Sequence, residues 1–251
     1  MGLFSFAAAG LAGSGGHVYS FEPDATMMRL LRRSASLNRS AASVEVIPCA
    51  VSDTFSLARF NIARRSRASN FLDGFGTSQT GGVHEVQTAL TVPLDWMADQ
   101  IPPPGALKID VEGAELGVFR GAARMLKAKR PVLIFEAAGV HWGEIAHMLW
   151  DLGYSLYDCD LPWDKRLPLT QPAFNTLAKL PEQLRIAFDC AARKLVPNSQ
   201  MQREPGVLGN GDMAGSPGDK ASRPDITVVA YLLTPRCRCY RMPLPRSPGA
   251  L

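Results

Sequence analysis

Four carboxylates in this 251-residue chain fall where apolar, β-branched runs stop: Glu22 after HVYSF, Asp53 after CAVS, Asp110 after LKI and Glu136 after PVLIF. An acid is disfavoured along a strand buried on both faces, but at the carboxyl end of a parallel sheet it meets the crevice where such sheets bind ligands. Set there, a carboxylate can accept two O–H donors at once or take up a proton. Glu22 is not needed as a helix cap, because Asp24 suits that task and Pro23 stands where a helix can begin. The others have plainer readings beside the chemical one. Asp53 behind Ser52 suits an Asx or ST turn, and Glu136 suits a cap for the following loop. Lys108, Asp110 and Glu112 are spaced two apart, so on a strand they share one face while Ile109 and Val111 take the other. Three charges on one face are costly unless they are paired or face a cavity. The alternatives are an edge strand with one wet face, or a simple Lys108–Asp110 pair.

The elements that must position these groups alternate between strand and helix lengths, the rhythm of a parallel α/β sheet. Residues 17–22 read as a strand. Met27, Leu30, Leu31 and Ala35 then recur at helical spacing until Asn38. Val44–Val51 is the next strand. Phe55–Ile62 and Glu85–Val92 alternate like half-exposed strands, so 55–93 reads as an inserted hairpin or flap around a polar loop with Ser69-Asn70 and Gly81-Gly82. Residues 107–113 form a strand entering a helix that runs to about Lys127, and 131–136 form another strand. A helix at 141–152, strands at 154–159 and 174–179, and a helix from Pro181 to Leu195 complete a domain over 1–196. Beyond it, 197–251 is rich in Gly, Pro and polar residues and reads as a largely disordered tail, with 197–224 the clearest part. Within the tail, ITVVAYLL (226–233) is a β-run whose plain reading is a strand added to a sheet edge or a partly ordered patch.

Composition narrows the class. The chain is 46% hydrophobic and 20% charged, with net charge +4 from 27 Lys+Arg against 23 Asp+Glu, too mild a basic bias to imply nucleic acid. No uncharged apolar run approaches the roughly 18 residues that span a bilayer. The apolar N-terminus lacks a basic n-region, and position six is Phe6 where myristoylation wants Ser or Thr. Five scattered cysteines suit a reducing compartment, so a cytoplasmic location is expected. Cys237 and Cys239 lack a second ligand pair, His141 and His147 read as ordinary helix residues, and no metal constellation is visible.

VYSFEPD, CAVSD, PLDWMAD, LKIDVEGAELGVFRGA and PVLIFE follow, in order, the wording of the FkbM-type S-adenosylmethionine-dependent methyltransferases. The resemblance covers about residues 2–180, and its most specific part is KIDVEGxE, Lys108 to Glu115, with FEP upstream. It implies an α/β Rossmann-like class I methyltransferase sheet with helices on both faces and a final antiparallel strand pair. It also implies S-adenosylmethionine as cofactor and O-methylation of a hydroxyl on a sugar, glycolipid, polyketide or related metabolite. Carried over, Glu22 with Pro23 resembles the acid that grips the cofactor ribose, and Ser52 and Asp53 the adenine-side loop. Asp110 resembles the group nearest the transferred methyl and the incoming nucleophile, flanked by Lys108 and Glu112. Glu136 lies on the acceptor side.

The chain departs from the family at its start. The glycine-rich first motif, roughly D-V-G-A-N-x-G-x-x-S, follows the first, central strand, and only Gly2 and Ser5 of it remain here, Gly2 being the cofactor-side residue. The resemblance therefore implies a start upstream of Met1 and, for the chain as written, a sheet without its first, central strand. Gly13–Gly16 reads as a helix-to-strand turn and does not replace the motif. An inactive, truncated remnant or binding module of the same fold is the alternative to an enzyme, and a nicotinamide-dependent dehydrogenase lacks its G-x-G-x-x-G. Arg29, Arg32 and Arg33, and Arg64, Arg65 and Arg67, read as solvated faces able to attract an anionic acceptor. The sequence sets no oligomeric state.

Overall fold

The computed structural model describes residues 2–183, apart from 14, 39–41, 66–68, 77–79, 137–140 and 172, together with the backbone of 228–230. Helix α1 (Leu3–Ala12) leads into strand β1 (His17–Phe21). Helix α2 (Ala25–Leu37) begins where Asp24 accepts from the amides of Thr26 and Met27, which satisfies two otherwise unpaired donors of its first turn. The strand expected over Val44–Val51 is two strands, β2 (Ser43–Ile47) and β3 (Ala50–Val51). Pro48 lies at the break and has no N–H to give a ladder. That break lets the chain leave one sheet and enter another.

A second sheet covers the stretch read as an insertion over 55–93 and takes in β3 as well. Strand β4 (Ser56–Ala63) pairs antiparallel with β6 (Val83–Val92), short β5 (Phe71–Leu72) adds to β4, and β3 lies parallel to β6. A one-turn helix α3 (Leu94–Met97) returns the chain to the main sheet. Strand β7 (Ala106–Ile109) ends before Asp110, so Glu112 is not on a strand. Two short helices follow, α4 (Glu115–Arg120) and α5 (Ala123–Lys129), where one was expected. Gly121 marks their junction: a Cβ there would lie 2.1 Å from the Ser52 carbonyl oxygen, so the loop after β3 can seat on it only if the residue is glycine. Strand β8 (Val132–Glu136), helix α6 (Trp142–Asp151), strand β9 (Ser155–Asp158) and strand β10 (Asn175–Lys179) follow as the sequence predicts, with a 3₁₀ turn (Trp163–Lys165) between the last two strands that it does not.

The main sheet has seven strands in the order β2-β1-β11-β7-β8-β10-β9, with β10 antiparallel to both its neighbours. Strand β11 is Val228–Ala230, from the expected tail. It lies parallel to β1, Tyr19 opposite Val229, and parallel to β7, Leu107 opposite Val229. The run 226–233 therefore contributes a strand to the middle of the sheet, not to an edge. No earlier strand of the described chain takes that position. The rest of the expected tail, and the helix expected from Pro181 to Leu195 beyond residue 183, lie outside the described residues.

Both faces of the sheet are covered. Tyr19, Phe21, Leu107, Ile109, Leu133 and Phe135 pack with Phe119, Leu126, Ile145 and Leu149 of the helices after β7 and β8. Val18 turns to the opposite face and packs on Ala8, Ala9 and Ala12 of α1. Among the described residues no helix is long and apolar enough to cross a membrane.

Candidate functional site

The parallel strands aim their carboxyl ends at one edge, and the acids gather there. Glu22 follows β1 directly and is buried, 1% exposed. Its Oε1 accepts from the Asp24 amide at 2.7 Å, while Oε2 is buried with no hydrogen-bond partner among the described residues. Burial raises its pKa from 4.5 to about 8; the Asp24 amide opposes that shift and the Asp24 charge adds to it. A buried carboxylate oxygen without a donor is a costly feature that a ligand's hydroxyl would relieve.

Across β11, the end of β7 holds the second group. Lys108 is fully buried, with Nζ 3.5 Å from Asp110 Oδ2 and 3.3 Å from Glu136 Oε1 at the end of β8. The edge-strand alternative is excluded, since β7 has a parallel partner on each side. Asp110 is ion-paired, but its buried Oδ2 accepts no hydrogen bond among the described residues. Its pKa is raised: desolvation exceeds the pull of Lys108, and Glu136, Glu112 and Glu115 add to the rise. Glu112 sits at φ 53°, a left-handed conformation uncommon outside glycine. Its pKa is pushed up to about 7 by burial and then by Glu136 and Glu115, against Lys108.

Glu115, which the sequence reading passed over, shapes this turn. Its buried Oε1 accepts from the amides of Val111 and Gly113 at 3.3 and 3.1 Å. The last Glu of KIDVEGxE was the available signal, since an acid two residues past a Gly can bond back to the preceding amides. Above the turn, Gly113 at φ 105° faces the insertion: a Cβ there would lie 3.6 Å from Phe75 Cβ and 3.8 Å from the Gly76 nitrogen. The flap thus reaches the turn that follows Asp110.

The Methyltransferase FkbM domain matches residues 2–156, more than half of the chain. The chain belongs to the FkbM methyltransferase family. No curated protein matches the sequence. Among solved structures, the crystal structure of Methyltransferase FkbM from Methylobacillus flagellatus KT is 19% identical, with TM-score 0.38; the match covers 64% of this chain and 36% of that one, so this chain spans about a third of that chain's length.

For an FkbM methyltransferase, the other residues expected at the site fall in different places. The buried Ser5 hydroxyl lies 2.9 Å from that of Ser20, which brings the start of α1, and Gly2 at its N-cap, to the carboxyl end of β1. Pro23 is half-buried between Glu22 and the α2 cap. Ser52 and the exposed Asp53 rest on Gly117 of α4 and on Gly121 at the α4–α5 junction, and no hydrogen bond joins either to Glu22 among the described residues. Also among the described residues, no three His, Cys, Asp or Glu side chains gather as metal ligands.

Proposed function

We propose that this methyltransferase uses S-adenosylmethionine to methylate a hydroxyl of a small metabolite, glycan or lipid headgroup. The observation that carries the reading is the buried, donor-less Oε2 of Glu22 at a strand's carboxyl end, with Asp110 across one strand. Those residues fit the cofactor: an adenosine ribose offers the adjacent O–H donors that Glu22 lacks, and a sulfonium is a cation suited to a cluster of acids. S-adenosylmethionine would supply a methyl group on that sulfonium. Gly2, Pro23, Ser52 and Asp53 complete the proposed cofactor side.

The chain's own residues do the rest. Asp110 takes the proton that the acceptor hydroxyl gives up as its oxygen gains the methyl. Lys108 holds Asp110 and Glu136 in place, keeping the base aimed at the crevice and its carboxylate form accessible. Glu112, at the mouth of the turn, and Glu136 hydrogen-bond other hydroxyls of the acceptor. A cytoplasmic location accords with Cys49, a buried free thiol.

A binding module of the same fold is the second reading, favoured by one observation. The strand at the sheet centre is Val228–Ala230, and the sequence after it, Tyr231-Leu232-Leu233, has none of the glycines of a cofactor cradle. Calorimetry with S-adenosylhomocysteine and turnover of Asp110→Asn separate the two. The enzyme reading expects micromolar binding by wild type and mutant alike, with methyl transfer to a hydroxyl-rich acceptor extract reduced about 10²–10⁴-fold in the mutant. Absence of binding by the wild type overturns the cofactor assignment. Binding with equal turnover in both forms overturns the role of Asp110.

A further inference from the structure

The flap and the cofactor-side acid are joined through a buried polar relay. Asn70, just before β5 and 8% exposed, donates from Nδ2 to Asp24 Oδ2 at 2.9 Å, and its Oδ1 accepts from the Ala63 amide at the end of β4, also at 2.9 Å. Asp24 is fully buried. Its other oxygen caps α2, and its own amide donates to Glu22 Oε1 at 2.7 Å. One residue therefore holds the flap and the helix start through its carboxylate and Glu22 through its backbone amide. Gln87 of β6 adds a weaker tie on the surface, accepting from the Ala25 amide at 3.4 Å.

The same flap carries the turn whose Phe75 and Gly76 lie over Gly113. That turn is itself pinned: Asp73 accepts from Asn61 Nδ2 at 3.2 Å, and its amide donates to the Arg59 carbonyl at 2.9 Å. The relay thus runs from Glu22 through Asp24 and Asn70 into the flap, and the flap's Phe75–Gly76 turn meets Gly113, next to Glu112. We propose that Asn70 is a positioning residue that couples closure of the flap to occupancy of the Glu22 site. A group that fixes Glu22 fixes the Asp24 amide bonded to it, and Asp24 fixes Asn70. Loss of the Asn70 bond frees the flap and loosens Glu22 together. This inference rests on the cofactor reading above and adds the device by which cofactor binding orders the acceptor side.

The bonds permit a swap. In Asn70→Asp, a carboxylate faces the Asp24 carboxylate, so like charges replace a bond. In Asp24→Asn, an amide donor faces the Asn70 donor as long as the cap is kept. In the double variant Asp24→Asn/Asn70→Asp, residue 24 keeps its capping oxygen and donates to residue 70, which still accepts from Ala63, so every bond is restored with the donor reversed. The measurements are S-adenosylhomocysteine affinity by calorimetry, amide exchange of residues 71–76 with and without that probe, and the melting temperature.

In the wild type, the probe should slow exchange of 71–76. Asn70→Asp should weaken affinity at least tenfold and abolish that protection, and the double variant should recover most of both. A merely structural Asn70 would lower the melting temperature and leave affinity per folded molecule unchanged, which overturns the coupling, as does failure of the double variant to recover a loss seen in the single ones. If the wild type binds no probe, the cofactor reading falls and the coupling with it. If it binds and Asn70→Asp changes neither affinity nor exchange, the coupling alone falls.

Discussion

The sheet has two halves that bury carboxylates by different means, and β11 lies between them. On the β2-β1 side, Glu22 has no ion pair among the described residues and receives a single amide hydrogen bond. On the β7-β8 side, Asp110 and Glu136 share the buried ammonium of Lys108. Both sides raise carboxyl pKa values, because burial outweighs the local compensation in each. The difference lies in what completes them. The β7-β8 carboxylates have a buried counter-charge in Lys108, whereas Glu22 has none among the described residues, and on both sides one carboxylate oxygen lacks a hydrogen-bond donor. Under the proposed function, the acids at this sheet edge divide into one that binds and several that react or orient.

Separating the two halves has the largest expected effect. Val229 pairs with Tyr19 on one side and Leu107 on the other, so Val229→Pro removes a ladder donor at the sheet's centre, where proline is not accommodated. The expected loss is on the scale of the ~5–15 kcal/mol that holds a domain together, seen as disappearance of a cooperative melting transition. An unchanged transition would mean that β11 adds little and that the halves are held by the helices alone.

That strand also shows where the sequence stopped being readable. Glu22, Asp110 and Glu136 could be placed because each lies at the end of a local apolar run, and strand ends share an edge in any parallel sheet. Position within the sheet is a different kind of fact. A run such as ITVVAYLL states that it can be a strand but not which neighbours it will have, since β-pairing is decided by packing between segments distant in sequence. The junction at Gly121 was hidden for the same reason, because it is set by the Ser52 carbonyl, contributed by a loop far upstream. Asn70 looked like one more polar residue in a loop until its two partners, Ala63 and Asp24, were brought together by the flap.

Next in size is the loss of internal balance on the β7 side. Lys108→Met leaves Asp110 and Glu136 buried without their cation and should cost about 3–5 kcal/mol near pH 7, less in acid as the stranded carboxyls protonate. A second buried lysine provides the contrast. Lys179 has Nζ 3.7 Å from the centre of the Trp163 ring and 5.6 Å from that of Tyr157, and its pKa is lowered to about 8 by burial and by Arg166. Lys179→Met strands no carboxylate and gives up only a cation–π contact of about 0.5–2 kcal/mol, partly offset by relief of desolvation. Urea titrations of the two variants should therefore differ by several-fold in lost stability. Equal losses would mean that the Lys108 pairs contribute no more than the aromatic contact does.

The last effect, read per pH unit, tests the side without a counter-charge directly. Glu22 has a pKa of about 8 in the folded protein against 4.5 for the free side chain, so between those values the folded state holds a proton that the unfolded chain has released. Stability then falls as pH rises across that window, by at most about 1.4 kcal/mol per pH unit for one proton, and the penalty is complete above pH 8. Glu112, raised to about 7, acts in the same direction over a narrower range. Glu22→Gln removes the first contribution and keeps the second, so its melting temperature should decline less between pH 5 and pH 8 than that of the wild type. Ligand donors that complete Glu22 favour its ionised form, so S-adenosylhomocysteine binding at pH 7 should release protons, detected as a dependence of the calorimetric heat on the ionisation enthalpy of the buffer. In Glu22→Gln that dependence should shrink. Equal proton release in both forms would assign it to the Asp110 cluster and remove the distinction between the two halves.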